Sequence, residues 1–148
     1  MIADTLKILF RKDLIKLKSE LAQYTNEENI WRIDKDISNS AGNLCLHLIG
    51  NLNAYIGVGL AKTNYVRQRD LEFSSKGVPR EHLLKDIDET MLTVESGLSN
   101  LADEQMAGAF PLIIWEQPMS VVYTLLHLQN HLSYHLGQIN YHRRMLDA

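Results

Sequence analysis

The feature of the sequence with the clearest chemical meaning is a row of histidines near its C-terminus. Four of the six histidines lie in this row, at His127, His131, His135 and His142. Steps of four residues place side chains one above another on the same face of an α-helix. Histidine is the commonest metal ligand among side chains, and two imidazoles one turn apart can reach the same ion. The row therefore predicts a metal site on a C-terminal helix.

A second helix supplies a further imidazole. At about 100° per residue, the histidine row flanks the apolar stripe of its helix, and His47 flanks the stripe of an earlier helix. Both helices would therefore bring imidazole to the margin of one core, which predicts a site made by His47 and an i, i+4 pair. The spacing leaves open which two of His127, His131 and His135 complete it. Three neutral nitrogen ligands suit zinc or nickel and leave a coordination position for water or substrate.

Several other residues are weaker candidates. Asn130 and Gln138 lie beside the histidine face, where they would either hydrogen-bond the imidazoles or contact solvent. Trp115 would either wall the metal pocket or cap the bundle core. Cys45 is two residues from His47, which turns it about 200° away on a helix, so we expect a small buried apolar residue.

The remaining histidines and a pair of arginines have ordinary structural explanations. We expect His82 and His142 to be core-margin residues with satisfied hydrogen bonds. Arg67 and Arg69 would either bind an anionic group or lie in a solvated loop.

The elements that carry these residues are four amphipathic helices. Apolar residues recur at steps of three and four over long stretches, and sustained alternation typical of strands is missing from the sequence. The predicted helices span residues 2–24, 41–56, 79–101 and 118–145, with N-cap candidates in Ser38-Asn39-Ser40, Pro79 at a first helical position, and Pro118 and Ser120 before the last helix. The long connections 62–78 and 108–117 are predicted to be irregular. The pattern indicates an all-α protein with one four-helix-bundle domain over residues 1–148.

Composition excludes several classes of protein. The chain has 148 residues, 45% apolar and 22% charged, with net charge −3 and pI near 6.0. This balance fits a globular domain and offers no basic surface to nucleic acid, and no apolar run is long enough for a membrane span. A single cysteine and no evident signal peptide suit the cytoplasm. The sequence also lacks the HExxH and Glu-x-x-His motifs of zincins and di-iron bundles.

The histidine pattern also resembles a known family. The run His127-Leu-Gln-Asn-His131-Leu-Ser-Tyr-His135-Leu-Gly-Gln138, with Leu44-Cys-Leu-His47-Leu-Ile-Gly earlier in the chain, resembles the DinB-like (YfiT-like) family of metal-dependent proteins. That family has a fourth-helix pattern His-x-x-Asn-His-x-x-x-His-Arg-Gly-Gln and one histidine on the second helix. Leu136 departs from the pattern, which often has arginine at that position.

The resemblance implies a fold, a ligand set and a class of activity. It implies an up-down-down-up four-helix bundle, commonly a homodimer, with a divalent ion held by His47, His131 and His135. Some members of the wider superfamily transfer low-molecular-weight thiols to small molecules, which makes a metal-dependent thiol transferase the leading hypothesis. The alternatives are a metal-dependent hydrolase, a bundle that is structural or binds metal without turnover, and a bis-histidine haem protein.

Overall fold

The structure, a computed structural model, describes residues 1–147 and contains four long α-helices and one short one, with 3-10 turns at Glu27–Trp31 and Asp103–Gln105. The helices are α1 (Ile2–Ala22), α2 (Ala41–Leu52), α3 (Arg69–Ser74), α4 (Arg80–Ser99) and α5 (Val121–Leu146). The predicted all-α class is confirmed, and residues 1–147 form no strand. None of the helices in this range is long and apolar enough to cross a membrane.

Serine caps begin the two helices that carry the histidines. The Ser40 side chain accepts a hydrogen bond from the Asn43 backbone N–H, and the Ser120 side chain accepts one from Tyr123. These contacts satisfy backbone donors that a helix leaves unpaired at its first turn. The sequence pattern predicted Pro79 as the first helical residue of α4. In the structure it lies one position earlier and is the N-cap residue of this helix.

The long helices enclose one apolar core. Helices α1 and α2 each pack against both α4 and α5. Phe10, Leu14 and Leu17 of α1 are buried within this chain, whereas Leu9 is 36% exposed. The apolar residues that α1 and α4 leave most exposed are Ile8 and Leu92, each 67% exposed.

Helix α2 is extended by a π-helical turn. The turn covers Asn53–Gly57, and helical structure continues to residue 59. The predicted helix over 41–56 is therefore present, but it ends later than predicted and changes its hydrogen-bonding pattern after Leu52. Such turns widen the helix by one residue per turn and are frequent near functional sites.

The connection 62–78 contains helix α3, which the sequence pattern did not predict. Helix α3 is held against α2 because the Asn43 side-chain amide donates to the carbonyl oxygens of Glu72, at 2.9 Å, and Ser75, at 2.8 Å. The other connection, 108–117, has no helix, as predicted. Its first residue is held against the start of α5, since Val121 N–H donates to the Gly108 carbonyl oxygen at 2.8 Å.

Candidate metal centre

Three histidines from two helices converge at the interface of α2 and α5. His131 Nε2 lies 3.0 Å from His47 Nε2 and 3.1 Å from His135 Nε2. Each residue offers one ring nitrogen to a group of three that lie within 4.8 Å of one another, which is a spacing that one metal ion can bridge. Helix periodicity brings His131 and His135 together, and the packing of α2 on α5 adds His47 from 84 residues away.

His47 is held from behind by a buried ion pair. Its Nδ1 lies 3.0 Å from Glu72 Oε1, and the Glu72 carboxylate also accepts from the Arg67 Nε and Nη2 atoms, both at 2.9 Å. An ionised carboxylate can only accept, so the 3.0 Å contact requires a proton on His47 Nδ1. With that proton in place, Nδ1 cannot accept from Arg67 Nη2, which lies 3.3 Å away. Phe73 packs against the His47 ring with a centroid distance of 4.9 Å.

His135 is held in a similar way at the more open side of the cluster. Its Nδ1 is 2.7 Å from Gln138 Oε1, one turn further along α5. Because an amide oxygen only accepts, this contact also requires a proton on Nδ1. Tyr134 packs edge-on against the same ring at 5.3 Å.

These contacts decide which nitrogen of each ring is free. With their protons on Nδ1, neutral His47 and His135 both direct an Nε2 lone pair at His131. His131 Nδ1 is buried without a hydrogen-bond partner among the described residues. Since a single Nε2 proton could satisfy only one of the two facing lone pairs, hydrogen bonding alone leaves the cluster incomplete. Converging lone pairs with Nδ1–H donors anchored on oxygen are the arrangement of histidines that bind metal.

Burial favours the neutral form of the two more buried histidines, His131 and His47. Desolvation and the neighbouring His135 and His47 lower the pKa of His131 to about 4. Desolvation also lowers the pKa of His47, although the Glu72 carboxylate acts in the opposite direction. Neutral imidazole is the form that binds metal, so these side chains do not have to lose a proton first.

Comparison with known families covers nearly the entire sequence. The family model described as protein of unknown function (DUF1572) matches residues 4–148. The chain belongs to the DUF1572 family. No curated protein gives a significant match to it.

The DUF1572 chain places the weaker sequence candidates at different distances from the triad. Gln138 contacts His135 directly, whereas His127 and Asn130 are exposed on α5. Trp115 is half-buried and packs edge-on against His127, with a centroid distance of 4.7 Å. Trp115 therefore contacts His127, which is one turn before His131 on α5.

Two other predictions for the DUF1572 chain are confirmed and one is wrong. His142 is a satisfied core residue, with Nδ1 2.7 Å from the Tyr24 hydroxyl and Nε2 2.9 Å from the Arg32 carbonyl oxygen. Cys45 is completely buried, and burial raises the pKa of its thiol, so it stays protonated and apolar. His82, predicted at the core margin, is exposed because it lies on the outer face of α4.

Sequence reasoning missed Glu72 as part of this site. Glu72 lies in the long connection 62–78, where the sequence shows no helical periodicity from which the direction of its side chain could be predicted. Arg67 does bind an anionic group, but the group is this internal carboxylate. The only signal available was the length of the connection, which is unusual for an idle loop.

Proposed function

We propose that this protein binds one divalent metal ion through the Nε2 atoms of His47, His131 and His135. The proposal is carried by the convergence of three imidazole nitrogens of which two are fixed as lone-pair donors by Glu72 and Gln138. Zinc or nickel suits this set of neutral nitrogen ligands. Two ligands about 2.1 Å from an ion are about 3.0 Å apart at an angle of 90° and about 3.4 Å apart at the tetrahedral angle usual for zinc. The two short distances here, 3.0 and 3.1 Å, are close to the first value.

The charge around the triad favours an anionic partner for the ion. Three neutral imidazoles contribute no charge, and the Glu72 carboxylate is neutralised by Arg67. A bound divalent ion would keep its full charge and would lower the pKa of a thiol or a water molecule in a remaining coordination position. Because the histidine pattern resembles a superfamily in which some members transfer low-molecular-weight thiols, we propose a metal-dependent thiol transferase as the finer function.

A cleft beside the triad offers room for a small-molecule substrate. It has a volume of about 510 Å³ and is lined by His135 and by side chains from α2, α5 and the chain before α2. Its lining includes two aromatic residues, Tyr134 and Tyr141, and two residues with side-chain amides, Gln138 and Asn39. This mixture of apolar and hydrogen-bonding groups is typical of sites for small organic ligands.

The alternative functions use the same residues differently. A hydrolase would need an activated water where the transferase needs a thiol. A non-catalytic bundle would bind the ion without turnover. A haem protein is disfavoured because His47 and His131 nitrogens are only 3.0 Å apart, which leaves no space for a macrocycle between them.

Metal analysis tests the proposal directly. Protein purified without a histidine tag should hold one zinc or nickel ion per chain after loading and dialysis, and calorimetry should give the same stoichiometry. Replacing His47, His131 or His135 by alanine should abolish stoichiometric binding, whereas His82→Ala should not, because His82 is exposed on α4. Full affinity in His47→Ala would show that the cross-helix site is wrong.

A thiol screen tests the finer function. Metal-loaded protein should accelerate transfer of a low-molecular-weight thiol to an electrophilic small molecule, and the His131→Ala variant should be inactive. Hydrolysis of ester or amide substrates without a thiol would favour the hydrolase. Stoichiometric metal binding with neither activity would favour the non-catalytic bundle.

We also propose kinship with the DinB-like family, including its up-down-down-up topology and its homodimeric state. One observation supports it: the three histidines at the family's ligand positions lie together. Leu136, where the family often has arginine, departs from the pattern and is buried, but it is not one of the three histidines. Ile8 and Leu92 line one exposed groove that a second copy would cover. Light scattering at micromolar concentration should give a dimer mass that Ile8→Glu reduces and Leu126→Glu, on α5, does not.

A further inference from the structure

We infer that Glu72, held by Arg67, is a positioning residue that fixes the ring orientation and tautomer of His47 for metal binding. This inference rests on the proposed metal-binding function and extends it to residues on the far side of the histidine. Neither Glu72 nor Arg67 reaches the cluster centre with a ligand atom. Their role is to decide which nitrogen His47 presents there.

The carboxylate can do this because every one of its contacts has a fixed direction. Glu72 Oε1 accepts from both His47 Nδ1, at 3.0 Å, and Arg67 Nη2, at 2.9 Å, while Oε2 accepts from Arg67 Nε at 2.9 Å. Glu72 is only 6% exposed, so water does not compete strongly for these oxygens. The fork geometry of the guanidinium holds the carboxylate plane, which in turn holds the imidazole.

A glycine on α2 provides the space for the carboxylate. A Cβ added to Gly50 would overlap Glu72 Oε2 and lie 2.6 Å from Glu72 Cδ. The carboxylate therefore packs directly against the α2 backbone, one turn after His47. An alanine at this position would displace Glu72 without removing any hydrogen-bonding group.

Helix α3 carries Glu72 to this point. Asn43, one turn before His47, donates to the Glu72 and Ser75 carbonyl oxygens and accepts from Lys76 Nζ at 2.8 Å. Asn43 is fully buried, so these contacts fix the backbone of the segment against α2. The metal site and the connection 62–78 are thus built as one unit.

Glu72→Gln would remove the negative charge of the side chain and keep its size and shape. Arg67 can only donate, and the amide has only one accepting oxygen. In either amide orientation an NH₂ group faces an Arg67 donor, and in one of them it also faces His47 Nδ1 and reverses the His47 tautomer. Glu72→Gln should therefore weaken metal binding although the side chain keeps its size.

The test measures cobalt(II) binding by visible absorption in four variants of the full chain. Glu72→Gln and Gly50→Ala should each weaken the affinity by about 10- to 100-fold, the usual effect of losing an outer-shell partner of a metal ligand. Glu20→Gln is the matched control, since Glu20 is a buried carboxylate 2.7 Å from Arg143 Nε on the α1–α5 side. Gly137→Ala is the glycine control, because no atom lies within 4 Å of its added Cβ. Both controls should stay within about twofold of the wild-type affinity.

A second measurement does not need metal. Long-range ¹H–¹⁵N NMR of the metal-free protein should show His47 with its proton on Nδ1 in the wild type and a changed or mixed tautomer in Glu72→Gln. The inference is overturned if Glu72→Gln and Gly50→Ala fold and bind cobalt like the controls, or if His47 of the wild type carries its proton on Nε2. A wild type that binds no cobalt but has the Nδ1–H tautomer would refute the metal-binding function and support the Glu72 contact. The two failures are therefore distinguishable.

Discussion

Replacing His131 should separate the demands of metal binding from those of folding. His131 is the central member of the triad, and its Nδ1 is buried without a partner among the described residues. An unsatisfied buried polar atom costs about 1–3 kcal/mol, and His131→Leu removes this cost while it fills most of the same space. This gain in stability is partly offset because His47 and His135 then lack their Nε2 neighbour. We expect the metal-free variant to keep the wild-type melting temperature within about 4 °C, or to exceed it.

The same change should eliminate stabilisation by metal. Zinc at 100 times its dissociation constant stabilises the wild type by about 2.7 kcal/mol, which for a domain of this size raises the melting temperature by about 5–11 °C. Thermal unfolding followed by circular dichroism, with zinc or with EDTA, measures both effects. His127→Leu, one turn earlier and exposed, should retain the zinc-dependent rise. The reasoning is refuted if the wild type shows no rise, or if His131→Leu rises as much as the wild type.

Three further predictions concern pH, packing and the loop before α5. Burial lowers the pKa of His142, so metal-free protein should lose stability as pH falls below about 6.5, where the unfolded state takes up a proton that the folded state does not. In urea titrations, the free energy of unfolding should depend less steeply on pH in His142→Gln than in the wild type. Gly42→Ala should cost about 1–3 kcal/mol in the same assay, because the added Cβ would lie 2.6 Å from the Trp31 ring, and Trp31→Leu should recover part of this; an unchanged midpoint would contradict the packing. In a Trp31→Phe background, zinc with a thiol should change Trp115 fluorescence if the loop before α5 borders the substrate site, whereas a constant spectrum would limit Trp115 to packing.

The regular part of the fold could be predicted from the sequence because helices are local. Apolar steps of three and four set the positions of α1, α2, α4 and α5, and serines marked the starts of α2 and α5. The same periodicity placed His131 and His135 one turn apart on a common face. Neither inference needed any contact distant in the sequence.

The irregular part could not be predicted in the same way. Helix α3 has only six residues and is held to α2 through Asn43, so its existence depends on a tertiary contact. His82 shows the converse limit, since a histidine near an apolar stripe is buried or exposed according to what packs against that face. The π-helical turn after α2 was likewise not predicted, because the spacing of apolar residues does not indicate it.

The sequence alone determined the fold class and the residues able to ligate a metal, because both follow from the type and spacing of neighbours along the chain. Only the tertiary structure decided that His47 meets His131 at 3.0 Å, because that distance depends on how α2 packs on α5. It also decided the role of Glu72, which lies in a connection where the sequence shows no helical periodicity. The Glu72 carboxylate reaches His47 because Gly50, which has no side chain, leaves space for it against the α2 backbone. Side chains that are distant in the sequence interact in this way only when packing brings them together and excludes water from between them. The local sequence pattern does not predict that packing.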